Sequence, residues 1–72
     1  MAVFQILVRI VQVSPGDHVV TVSAVSDDVD ETEVRQDMVP TAREARERRD
    51  YLIMSLATEL RARGHEVSGV VE

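Results

Sequence analysis

The sequence contains no cysteine, which excludes disulfides, a thiol nucleophile and thiolate metal sites. It contains no lysine either; every basic residue is arginine. Phe4 and Tyr51 are the only aromatic residues. Glycine occurs only at Gly16, Gly64 and Gly69, where turn, cap and bulge roles account for it, so no phosphate-cradling loop is present. No run approaches the about 18 apolar residues that a membrane-spanning helix requires. The first residues lack the basic, apolar, small-residue order of a signal peptide. The expected setting is the cytoplasm, with a phage-infected cell or a virion equally compatible.

Catalytic groups are sparse as well. His18 and His65 have no further histidine at ligand spacing. The run Asp27-Asp28-Val29-Asp30-Glu31 lacks the spaced oxygens and central glycine of a calcium loop. Ser14, Ser23, Ser26, Ser55 and Ser68 carry no local nucleophile signature. No catalytic residue, metal ligand or cofactor is assigned, and the chain reads as non-enzymatic.

The 72 residues suffice for one domain, 1–72, and at that length only about 60% of the unfolded surface is buried. The net charge of −5 has a location. Arg9 offsets Asp17 in the first segment. From Met38 onward, Arg43, Arg46, Arg48, Arg49, Arg61 and Arg63 offset Glu44, Glu47, Asp50, Glu59, Glu66 and Glu72. The whole excess therefore lies between Asp27 and Asp37. Asp27, Asp28, Asp30, Glu31 and Glu33 form a candidate acidic patch, suited to an arginine- or lysine-rich partner and repulsive to a phosphate backbone.

Thr41 to Gly64 reads as one long amphipathic helix. Pro40 keeps Val39 out of the α region, and Thr41 with Glu44 fits a capping box. Arg61 and Arg63 complement the dipole of the last turn, and Gly64 suits the left-handed position beyond it. Ala42, Ala45, Leu52, Ile53, Leu56, Ala57 and Leu60 share one face at 100° per residue. Arg49 falls within that face, with its stem expected on apolar surface and its head in water. Tyr51 and Met54 point away from the face and are candidate contacts with a partner. Arg43 with Glu47, Glu44 with Arg48, and Arg46 with Asp50 are spaced as i, i+4 ion pairs.

Upstream, Val3 to Val13 reads as a strand, with Phe4, Ile6, Val8 and Ile10 expected toward the helix. Ser14-Pro15-Gly16-Asp17 is a turn signal of type II, and His18 to Val25 returns as the second strand of a hairpin. Glu33 to Val39 reads as a third strand, its charges tolerable at an edge. His65 to Val71 closes the chain as a last strand, with Gly69 marking a bulge or close approach.

The expected fold is therefore α+β: a small, mainly antiparallel sheet in the order β-β-(β)-α-β, with one long helix across one face. A single helix leaves the other face open. Val3, Leu7, Val11, Val19 and Val25 lie there, and a contiguous apolar patch of that kind marks an interaction surface. The reading is a protein-interaction module of an accessory, assembly or inhibitory kind, forming a homodimer or docking on a larger protein. The alternative is a small regulator contacting nucleic acid through Arg43, Arg46, Arg48 and Arg49. The element order resembles that of small antitoxin domains built as a partial RNase H fold. The glycine-rich strand sequence and DNA-binding tail of that family are not found here, and no family is assigned.

Overall fold

The computed structural model describes residues 1–72. Strands β1 (Val3–Ser14), β2 (Asp17–Val25) and β3 (Glu33–Val39) precede helix α1 (Ala42–Ala62), and β4 (Glu66–Val71) follows it. The four strands form one sheet in the order β3-β2-β1-β4. β1 pairs antiparallel with β2, and β2 with β3; β4 pairs parallel with β1. The helix carries the chain from one sheet edge to the other, packing chiefly over β2 and β3. The architecture is the expected α+β one, with a single helix on the sheet.

Local chemistry sets each boundary. Gly16 takes φ +83°, the left-handed value that a type II turn requires of its glycine. Thr41 caps the helix: its Oγ1 accepts from the Glu44 N–H at 3.1 Å and donates to the Glu44 carboxylate at 3.1 Å. The helix ends in a Schellman motif. His65 N–H donates to the Leu60 carbonyl, Gly64 N–H donates to that of Arg61, and Gly64 sits at φ +86°.

The core lies between helix and sheet. Phe4 and Ile6 from β1, Val20, Val22 and Ala24 from β2, and Ala45, Leu56, Ala57 and Leu60 from α1 are buried, with Ala2 and Val39 completing it. Leu52, Ile53, Val8 and Val67 pack at its margin. Ala42 stays exposed despite its phase. Ile10 keeps the helix-side parity yet is 37% exposed, because β4 ends opposite Leu7 and leaves the far half of β1 as sheet margin.

β4 joins the sheet late and locally. The Ala2 carbonyl accepts from Glu66 N–H at 2.9 Å, and Ala2 N–H donates to His65 Nδ1 at 3.2 Å. The His65 ring meets Phe4 edge-on at 5.1 Å. Register shifts between Phe4 and Gln5, with Ser68 as the extra residue of a bulge beside Gly69. The Ser68 hydroxyl donates to the Phe4 carbonyl at 3.3 Å.

Candidate interaction surface

The register defines the open face row by row. Val34, Ser23, Leu7 and Val71 stand side by side across all four strands. Two residues along, Gln36, Thr21 and Arg9 form a polar row, in which Gln36 Nε2 donates to Thr21 Oγ1 at 3.3 Å. Beyond it, Met38, Val19 and Val11 form a second apolar row. Val25, Gln5 and Gly69 lie on the other side of the first apolar row, and Val3 and Glu66 beyond them. The five candidate residues Val3, Leu7, Val11, Val19 and Val25 thus all fall on this one face.

β3 extends the surface. Val34 (52% exposed) and Met38 (58%) continue the apolar rows to the sheet edge, and Val71 does so on β4. The chain has 13 acids and 8 arginines. Within the strands and away from the hairpin turn, only Arg9 and Glu66 bring charge to this face; at its end, Asp27 and Asp28 line a cleft with Val3, Gln5 and Val25. Arg9 has no acidic partner within ion-pair distance.

The charges have gone to the other side of β3. Glu33, Arg35 and Asp37 alternate toward the helix, where Arg63, Glu59 and Arg48 meet them in the same order with opposite sign. Arg48 Nε lies 3.1 Å from Asp37, and Arg35 donates to Glu59. Glu33 accepts from Arg63, and that hydrogen bond, with the charge of Glu33 behind it, raises the Arg63 pKa above its ordinary value. Glu59 joins the ladder internally, accepting from Arg63 at 2.7 Å.

The ladder engages one of the five candidate acids. Glu33 is an element of the helix–sheet contact, and the remaining patch is smaller than the sequence suggests. Asp28 is also engaged: its carboxylate accepts from Val3 N–H at 3.0 Å, where β2 has already turned away from β1. Asp27, Asp30 and Glu31 are left exposed without an ion pair. The alternation of Glu33 and Arg35 at period two matches the i, i+4 spacing of Glu59 and Arg63 on the helix, but no such spacing links Arg48 to Asp37.

The arginines of the first helical half are largely occupied. Arg43 pairs with Glu47 at 3.4 Å, as its spacing predicts. Arg48 turns to Asp37 rather than Glu44, because Glu44 serves the cap. Arg49 bridges Asp50 (3.1 Å) and Glu72 (2.7 Å), its side chain only 24% exposed. Asp50 is thereby drawn from Arg46, which has no ion pair. Arg48 also lies over the Tyr51 ring at 5.7 Å. Tyr51 (62%) and Met54 (71%) are exposed on the outer helix, and Met54 borders a cleft with Ile53, Ala57, Val67 and Val70 beside β4.

No three histidine or carboxylate side chains converge as a metal site would need, and no helix is long and apolar enough to cross a membrane. Comparison with family models, with curated proteins and with solved structures finds no match to this chain.

Proposed function

We propose that this chain is a non-enzymatic interaction module that self-associates through the open face of its sheet. The observation that carries the reading is the distribution of charge. A chain in which 29% of residues are charged places only Arg9 and Glu66 at the strand positions of a face that spans four strands, with Asp27 and Asp28 bordering it at one end. The same face leaves Val3, Leu7, Val34, Met38 and Val71 between 38% and 58% exposed. A solvent-facing side of an antiparallel sheet ordinarily alternates to polar residues. Water-facing valine and methionine on adjacent strands is what a covered surface looks like without its cover.

The size of the domain supports the same reading. Eleven of 72 residues are buried, a small core for independent stability, and covering the open face adds to it. The setting attached to this reading is an accessory or assembly protein of the cytoplasm or of a virion, which the cysteine-free composition suits.

Light scattering across a range of protein concentrations tests it. The expected result is a mass of two chains at micromolar concentration. A single-chain mass at every concentration overturns self-association.

A further inference from the structure

We propose that the second copy lies face to face with the first about a two-fold axis parallel to the strands, between β1 and β2. This inference rests on self-association through the open face and specifies its geometry. In the order β3-β2-β1-β4 that axis is the centre of the sheet. Rotation about it lays β2 over β1 of the second copy and brings β3 to the β4 side, where the two overlap at the row of Val34 and Val71, and every row of side chains returns onto itself.

The rows are self-complementary under this operation. Leu7 falls over Ser23 of the second copy, large against small, and Val34 falls over Val71. Val11 falls over Val19. The polar row meets only the polar row: Arg9 falls over Thr21 of the second copy, with Gln36 alongside. Because Gln36 uses its Nε2 on Thr21, its Oε1 is free to accept from the guanidinium. The two arginines are on opposite sides of the axis, so their charges do not meet.

The gaps fit as well. β4 pairs with β1 no farther than Leu7 and Val71, so the space beside Arg9 and Val11 is vacant in each sheet. β3 of the second copy covers that vacancy and presents Met38 to it, a long and adaptable side chain. Arg9 borders the same space and keeps contact with water, which spares it the cost of a buried unpaired charge. Strands at ~4.8 Å and rows at ~6.7 Å outline roughly 500 Å² of plane per copy. The two faces together come to ~1,000 Å², the lower limit for a specific interface.

The test exchanges a knob and a hole between chains. Ser23→Leu alone places leucine against Leu7 twice, and Leu7→Ala alone leaves two cavities; each is expected to weaken association roughly tenfold or more. Mixed in equal amounts, the two variants form a heterodimer in which one contact is native and the other reversed. Native mass spectrometry is expected to show that heterodimer well above the half of all dimers that random pairing gives. Since residues 7 and 23 are also neighbours within one chain, only the mixture reports the contact between chains. An independent measurement uses a nitroxide on Gln36→Cys. Its distance to the second copy is about 18 Å in this arrangement and about 34 Å in a dimer joined edge to edge through β4. A wild-type dimer with no preferred heterodimer and a long spin–spin distance overturns the geometry and leaves self-association standing. A monomeric wild type overturns both.

Discussion

Glu33, the first residue of β3, accepts a hydrogen bond from the guanidinium of Arg63, thirty residues later at the helix C-terminus. With Arg35–Glu59 and Asp37–Arg48 it forms a ladder that fixes helix to strand where apolar contacts are few. β3 spends three of its helix-side positions, Glu33, Arg35 and Asp37, on charge, leaving only Val39 to the core, and places Val34 and Met38 on the open side. The usual polarity of a half-buried strand is inverted.

The ladder predicts a charge-swap result. Glu33→Arg sets three cations together at one end of β3 and is expected to lower the urea midpoint. Adding Arg63→Glu is expected to recover most of the loss; no recovery in the double variant means the pair is incidental. The raised Arg63 pKa keeps that partner charged: its contribution is complete below the unfolded value and fades only as strong alkali titrates the folded one. Salt, rather than mild alkali, is the condition that weakens the ladder.

A carboxylate on the open face separates association from folding. Leu7→Asp or Val11→Asp is expected to give a single-chain mass with an unchanged far-UV circular dichroism spectrum. Both positions lie opposite the core, so the helix-side packing is untouched. A dimeric mass for both variants assigns the interface to another surface.

Core and surface apolar residues of the helix should respond by very different amounts. Leu56 is fully buried, and Leu56→Ala is expected to cost about 2–5 kcal/mol. That is a large part of the total stability of a domain this small, roughly 4–11 kcal/mol. Met54→Ala, at a position 71% exposed, is expected to stay within about 0.5 kcal/mol. Urea unfolding at fixed protein concentration measures both.

Nucleic-acid binding through the helix is expected to be absent. Arg43, Arg48 and Arg49 already hold carboxylates, and only Arg46 of the four has no ion pair. A gel shift with duplex DNA and with RNA at low salt should show no retardation. Retardation abolished by Arg46→Ala reverses this expectation.

Most of the fold was legible because its signals are local. Pro40 with Thr41 and Glu44 opens the helix, Gly64 closes it, and Pro15-Gly16 turns the hairpin, each through contacts within a few residues. The open face was legible for the same reason, since alternation along β1 and β2 is a property of neighbours. The ladder was not, because Glu33 and Arg63 are far apart in sequence and each has a nearer candidate partner. Val34 and Met38 were visible as the apolar residues of β3. Which face they occupy depends on pairing with Ser23 and Val19 across a long connection. Ala2 escaped notice as core because its burial depends on β4 returning beside it.

The parallel pairing of β4 with β1 has a kinetic consequence. β1, β2 and β3 form a meander whose strands follow one another, while β4 must find a strand more than sixty residues back. Closing so long a loop is the slowest entropic step available to the chain. The meander and helix are therefore expected to assemble first and β4 to dock last. Val20→Ala should then slow refolding, and Val67→Ala should chiefly accelerate unfolding; the reverse pattern in stopped-flow kinetics would place the closing strand in the nucleus. A chain built this way exposes the β1 edge throughout its early life, from Phe4 to Leu7, and shields it only when the final strand arrives.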